Sequence, residues 1–68
     1  MKSLIKREET MQFLSEDGAW TEDLSQAKVF ANVTAVYEAR DRLGLKNVEH
    51  YVLQRDQISS LDFSFPIG

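Results

Sequence analysis

The side chains able to do chemistry are few and stand apart along the 68-residue chain. There is one histidine, His50, and no cysteine, which excludes thiol nucleophiles, thiolate metal ligands and disulfides. A serine hydrolase needs a nucleophile, a base and an orienting group within hydrogen-bond reach, and no serine lies in a Gly-x-Ser-x-Gly elbow. We interpret His50 as a half-buried strand histidine beside Tyr51 and predict no catalytic residue.

The carboxylates include two acidic pairs, Glu16 with Asp17 and Glu22 with Asp23. Their spacing does not follow the alternating oxygen ligands of a calcium loop. The three glycines each stand alone, so no glycine-rich loop is available to cradle a phosphate. The acids are predicted to form turns, to cap short helical turns and to carry solvated charge. No metal and no cofactor is expected.

Charge and composition narrow the classes of partner. Eleven acidic residues against eight scattered basic ones give a net charge of -3, which does not form the basic stripe of a nucleic-acid binder. The start, MKSLIKREET, carries charges and no apolar run, so neither a secretory signal peptide nor a membrane segment is expected. Without cysteine the chain fits a reducing compartment, and we predict a cytoplasmic location.

The elements that must position these side chains begin with a hairpin. Residues 10–14, TMQFL, alternate so that Met11 and Phe13 share one face of a strand. Asp17-Gly18 predicts a type I′ turn, which needs positive φ at both central residues. The chain is then expected to fold back through Trp20, whose ring we interpret as closing the sheet against the helix. The alternative is an indole on the surface that anchors a partner.

One helix is predicted, beginning at Asn32 or Thr34 and ending near Leu43, with Gly44 in the left-handed conformation at its end. Residues 28–31, KVFA, precede it as a short strand. After it, residues 48–53 have apolar or aromatic side chains on both faces, which is typical of a central or doubly covered strand.

These elements predict a small two-layer α+β domain, in which one helix packs on an antiparallel sheet in the order ββ(β)αβ. Residues 1–56 are predicted to form this domain. Residues 57–68 form an apolar tail that either adds a strand to the sheet or associates with another chain. The candidate core consists of Met11, Phe13, Trp20, Val29, Phe30, Val36, Ala39, Leu43, Val48 and Val52.

The run DGAWTEDLSQAKVF, followed two residues later by a helix start, resembles a pattern in small uncharacterised bacterial and phage-type proteins. Its features are a Gly or Asp, a Trp-Thr pair, an acidic turn, Ala-Lys and an aromatic residue. The resemblance covers roughly residues 10–53. It implies a ββαβ-type fold and carries no established activity.

The apolar tail is the most informative feature for function. Leu61, Phe63 and Phe65 recur at strand spacing, and leaving two phenylalanines in water would create an association-prone patch. Together with Tyr51 and Leu53 they are the candidate interaction residues. The predicted function is a non-enzymatic interaction module, either a homodimer or an accessory subunit of another protein. A phage- or mobile-element-derived regulator of a host protein is the alternative, followed by a small enzyme or ligand-binding subunit.

Overall fold

Five antiparallel strands form one sheet, and a single α-helix packs against one of its faces. The computed structural model describes all residues from 1 to 68. The elements in chain order are β1 (Lys2–Arg7), β2 (Phe13–Leu14), β3 (Trp20–Thr21), α1 (Val33–Leu43), β4 (Val48–Leu53) and β5 (Phe63–Pro66). Across the sheet the order is β3-β2-β1-β4-β5, so β3 and β5 are the edges. The predicted α+β class with one helix on an antiparallel sheet is confirmed.

The central strand β1 is an element that the sequence pattern does not predict. Leu4 and Ile5 are adjacent and both fully buried, because they point to opposite faces of a doubly covered strand. Lys6 is buried as well, with its Nζ 3.2 Å from Glu49 Oε1 on β4. The same Nζ donates to the Thr10 carbonyl at 2.7 Å. A buried ammonium is tolerated here because it is paired and hydrogen-bonded.

Each face of the sheet carries its own apolar cluster. The helix-side core consists of Ile5, Leu14, Phe30, Val36, Ala39, Val48 and Ile67. The cluster on the opposite face consists of Leu4, Phe13, Ala27, Tyr51 and Leu53. β4 contributes side chains to both clusters, which confirms the prediction of a doubly covered strand.

The predicted limits of the helix are confirmed in detail. Asn32 is the N-cap, and its Oδ1 accepts a hydrogen bond from the Ala35 N–H at 2.9 Å. Gly44 ends the helix at φ 64°, a left-handed conformation that costs glycine nothing. The Leu45 N–H then bonds back to the Arg40 carbonyl at 2.9 Å, and the Leu45 side chain packs against the helix-side core.

The hairpin turn is located correctly, but its predicted type is wrong. The Gly18 N–H donates to the Ser15 carbonyl at 3.1 Å, and Gly18 has φ 86°. Asp17 does not have a positive φ, which a type I′ turn would require. The connection from β2 to β3 is therefore a turn that a single left-handed glycine completes.

Two candidate core residues, Met11 and Leu43, are exposed. Met11 lies in the connection from β1 to β2, since β2 contains only Phe13 and Leu14. Leu43 is the last helical residue and projects beyond the core, where Leu45 packs instead. Both predictions extend an element's apolar pattern past the end of its packed part.

Residues 28–31 do not form the predicted strand, and Val29 is not in the core. The segment makes only one isolated bridge, in which the Phe30 N–H donates to the Ser3 carbonyl at 2.8 Å. Phe30 points into the helix-side core, so its neighbour Val29 faces solvent. The remaining candidate core residues are buried, except Trp20, which is half-buried and packs against the helix-side core.

The C-terminal residues complete the sheet. β5 pairs with β4, and the Ile67 N–H donates to the Val48 carbonyl at 3.0 Å. Ile67 is buried in the helix-side core, and its carbonyl accepts a hydrogen bond from the Arg40 guanidinium. The Asn47 N–H donates a hydrogen bond to the Gly68 carbonyl at 2.6 Å. Of the two alternatives for the tail, the structure shows the one in which it adds a strand to its own sheet.

Candidate functional site

The acidic pairs serve local structure. Asp17 accepts hydrogen bonds from the Ser15 hydroxyl and the Ala19 N–H, and these bonds lower the pKa of its carboxyl. Asp23 caps a single 3-10 turn by accepting from the Ser25 hydroxyl at 2.8 Å and the Ser25 N–H at 2.9 Å, which lowers its pKa in the same way. No three His, Asp or Glu side chains converge on a point where a metal ion could bind.

Asp62 organises the segment that leads into β5. Its carboxylate accepts hydrogen bonds from the Gln54 N–H at 2.8 Å, the Ser59 N–H at 3.0 Å and the Tyr51 hydroxyl at 2.7 Å. The bond from Gln54, with those from Ser59 and Tyr51, lowers the pKa of Asp62. Burial, the Asp62 hydrogen bond and its negative charge raise the pKa of Tyr51 to about 12. Asp62 therefore holds the connection between β4 and β5 against the sheet.

His50 and Ser3 form the one pair that resembles part of a catalytic set. His50 Nε2 lies 3.0 Å from Ser3 Oγ, and both residues line an open cavity of about 380 Å³ at the start of α1. Burial lowers the pKa of His50. No carboxylate is hydrogen-bonded to the ring, so the orienting group of a triad is missing. The two residues are diagonal neighbours on one sheet face, and the bond satisfies the buried His50 ring and the half-buried Ser3 hydroxyl.

Trp20 belongs to the scaffold. Its indole is half-buried against the helix-side core, and the Arg7 guanidinium carbon lies 5.4 Å from the ring centroid. An exposed anchor for a partner would instead leave most of the ring in solvent. The structure therefore does not offer Trp20 as a binding surface.

An exposed apolar surface lies along β5, on the helix side of the sheet. Phe63 is 46% exposed and Phe65 is 50% exposed, and their ring centroids are 5.4 Å apart in an edge-to-face arrangement. Phe63 also borders the cavity beside Met1 and Val33, which are exposed as well. We call Phe63, Phe65, Met1 and Val33 the β5 surface.

The position of the helix explains why these rings remain exposed. α1 packs mainly against β1, two strands away from β5. Strands lie about 4.8 Å apart and a helix is about 10 Å wide, so a helix centred on β1 does not reach β5. The rings lie instead beside their register partners on β4, with Phe65 opposite His50 and Phe63 opposite Val52.

The predicted interaction residues divide into two groups. Leu61, Phe63 and Phe65 are exposed, with Leu61 just before β5. Tyr51 and Leu53 are buried on the opposite face, where Phe13 contacts the Tyr51 ring edge-to-face at 5.3 Å between centroids. Those two are therefore core residues, because β4 is covered on both sides.

Two residues of the β5 surface, Met1 and Val33, are not among the predicted interaction residues. They border the same cavity as Phe63 because β1 pairs with β4 and the residues at the start of α1 line that cavity as well. The residues next to Met1 and Val33 in the sequence do not indicate this position, since Met1, Val33 and Phe63, which line the cavity together, lie 30 or more residues apart in the chain. Only the topology of the sheet brings them together.

Comparisons with known proteins identify no relative of the chain. No protein-family model matches the chain, and no curated protein and no solved structure shows significant similarity to it. None of the helices has both the length and the apolar character needed to cross a bilayer.

Proposed function

We propose that the chain is a non-enzymatic interaction module whose contact with another protein is the β5 surface. The observation that carries this proposal is the pair of phenyl rings, Phe63 and Phe65, half exposed on an edge strand. Contiguous exposed aromatic side chains mark interaction sites far more often than single exposed apolar residues do. The scarcity of convergent polar groups elsewhere supports a binding role over an enzymatic one.

Burying the rings would supply useful binding energy. A phenylalanine side chain offers about 150–250 Å² when fully buried, and roughly half of each ring remains accessible here. At about 25 cal/mol per Å², covering the exposed half contributes about 2 kcal/mol per ring. Aromatic side chains with few rotatable bonds lose little entropy on ordering, which makes the pair an economical anchor.

The partner is either a second copy or a different protein to which the chain is an accessory subunit. The second candidate function is a phage- or mobile-element-derived regulator that binds a host protein through the same surface. The small, cysteine-free, acidic chain suits that role. We place either form in the bacterial cytoplasm, a reducing compartment suited to a chain without disulfides.

The test compares native size in clarified extracts of cells that produce the tagged chain. Phe63→Thr combined with Phe65→Thr removes both rings and replaces them with β-branched side chains, which are also favoured in strands. Met11→Thr combined with Val29→Thr is the matched control, because these side chains are 45% and 50% exposed away from β5.

Size-exclusion chromatography with detection of the tag gives the readout. We expect the unmodified chain and the control to elute above monomer size, and the Phe63/Phe65 variant to elute as a folded monomer. A monomeric unmodified chain, or a Phe63/Phe65 variant that elutes with the unmodified chain, would contradict the proposed function.

A further inference from the structure

The outer edge of β5 has a specific hydrogen-bonding pattern. Ile67 and Val48 share the register of the β4–β5 pair, and the Ile67 N–H bonds to the Val48 carbonyl. In antiparallel pairs, hydrogen-bonded positions alternate with positions whose backbone groups point away. Phe65 and Phe63 therefore direct their backbone groups to β4, whereas Ser64 and Pro66 direct theirs to the outer edge.

Only Ser64 offers both a donor and an acceptor at that edge. Pro66 has no N–H, and a proline facing outward is a common way to limit pairing at an edge strand. The Asp62 N–H, at the preceding outward position, already donates to the Ser59 carbonyl at 3.2 Å. A long foreign strand would meet missing donors on both sides of Ser64, so the edge suits a short contact centred on that residue.

A second copy of β5 in antiparallel orientation matches this pattern. With a two-fold axis beside Ser64, each Ser64 N–H donates to the Ser64 carbonyl of the other copy, which gives two reciprocal bonds. The same register places Phe63 opposite Phe65 of the other copy, at the closer, non-hydrogen-bonded position. The four phenyl rings then lie together on the helix side, where aromatic cross-strand pairs stabilise sheets.

Charge is compatible with self-association at this place. The chain carries a net charge of -3, but no side chain from Phe63 to Gly68 is charged. Two copies therefore meet at a neutral segment, and their like net charges are kept away from the contact. At the outward positions Asp62 lies opposite Pro66 of the other copy, so the two Asp62 carboxylates do not face each other.

We propose that the partner of the β5 surface is a second copy of this chain, joined by antiparallel β5–β5 pairing about Ser64 into a ten-stranded sheet. This inference rests on the proposed function and names its partner. The contact is small, with two backbone hydrogen bonds and four rings. We expect a dissociation constant on the order of micromolar, as for interfaces below the standard size.

The experiment measures solution mass by sedimentation equilibrium over a hundredfold range of concentration. Ser64→Pro removes the one outward N–H and leaves the bonds to β4, while Ser64→Ala removes only the hydroxyl and is the matched control. We expect the unmodified chain and Ser64→Ala to pass from monomer to dimer, and Ser64→Pro to stay a monomer with an unchanged circular dichroism spectrum. Dimerisation by Ser64→Pro, or a purified unmodified chain that stays monomeric, would overturn the inference.

A second variant decides the matter if Ser64→Pro does not fold. Ser64→Cys introduces the only cysteine of the chain. Facing residues of a hydrogen-bonded pair have Cα atoms about 5.5 Å apart, within the range of a disulfide. Mild oxidation should link Ser64→Cys chains rapidly into covalent dimers, whereas Val29→Cys, which places the thiol on an exposed part of the surface away from β5, should form few covalent dimers. Equal linking of the two variants would contradict β5–β5 pairing.

The two proposals fail separately. If the chain elutes above monomer size in cell extracts but is monomeric when purified, the inference of self-pairing is overturned and the proposed function stands. If the unmodified chain is monomeric under both conditions, both proposals are overturned.

Discussion

At the scale of single residues, Asp62 determines how the chain enters β5. Three donors converge on its carboxylate, two from backbone N–H groups and one from the Tyr51 hydroxyl. An ionised carboxylate accepts all three, whereas a protonated one has less capacity to accept and gains a donor. Because the folded pKa of Asp62 is lowered, its contribution to stability is present above the unfolded pKa of about 3.9. That contribution is lost as the pH falls through the lowered folded value.

We therefore predict that the thermal midpoint falls on acidification below about pH 4, and that Asp62→Asn makes this dependence shallower. The asparagine also presents an N–H₂ group to a site that holds only donors, so the variant should be less stable at neutral pH. Thermal unfolding followed by circular dichroism between pH 2 and 7 gives both quantities. Tyr51→Phe is the control, because it removes one donor and keeps the carboxylate. An unaltered pH dependence in Asp62→Asn would contradict this role.

His50 shows how the same residue is interpreted from sequence and from structure. The sequence indicates a half-buried strand histidine, and the structure places His50 on β4 but buries it more fully, with 8% of the residue exposed. Its partner, Ser3, comes from a strand that the local pattern does not reveal. The two side chains meet because of the register between β1 and β4. Register depends on how distant segments pack, so the residues around either one do not reveal it.

At the scale of elements, β5 is held to the molecule by Ile67 as well as by its ladder with β4. Ile67 lies in the helix-side core, at the end of the segment. We predict that Ile67→Ala lowers the free energy of unfolding by about 2–5 kcal/mol, the usual range for such truncations in a core. A chain of this length is stable by only about 3–10 kcal/mol, so the change should be conspicuous.

Urea denaturation of Ile67→Ala measures that loss. Val29→Ala is the control, because Val29 is exposed and its truncation should cost less than about 0.5 kcal/mol. Equal effects of the two substitutions would show that residues 63–68 do not contribute to the folded core.

An element can be predicted from the sequence when the residues that define it lie close together in the chain. The helix limits are encoded nearby, in Asn32 at one end and Gly44 at the other, and both are correct. β4 is recognisable because apolar side chains occupy both of its faces. β1 is not recognisable, because Lys6 interrupts its apolar run. Burial of that charge is acceptable because Glu49 across the sheet pairs with it and the Thr10 carbonyl accepts a hydrogen bond from it.

The exposed positions could be predicted only in part. The two-residue spacing of Phe63 and Phe65 correctly places them on one face of a strand. Tyr51 and Leu53 are buried instead, because Phe13 of β2 and the segment between β3 and α1, through Leu24 and Ala27, pack on the second face of the sheet. Whether a face of a strand is buried depends on which distant segments pack on it, and the sequence of the strand alone does not show this.

At the scale of the whole molecule, the small size of the chain means that a single interface would cover a large part of its surface. The accessible surface is 4401 Å², and a standard interface of about 800 Å² per partner would cover roughly a fifth of it. Domains of this length bury a smaller fraction of their chain than larger ones, so association adds apolar burial that the monomer lacks. The β5 surface is where the fold leaves adjoining aromatic rings for such burial.

The most direct test of that role is site-specific photo-cross-linking inside the producing cells. A benzophenone-bearing phenylalanine analogue replaces Phe65 in one variant and Val29 in another, two positions with the same exposed fraction of 50%. If the β5 surface is the contact, irradiation should yield a discrete covalent adduct from position 65 and none from position 29. An adduct of twice the chain's mass would identify a second copy, and another mass a different protein. No adduct at position 65, or equal adducts at both, would contradict the assignment of the β5 surface as the interaction site.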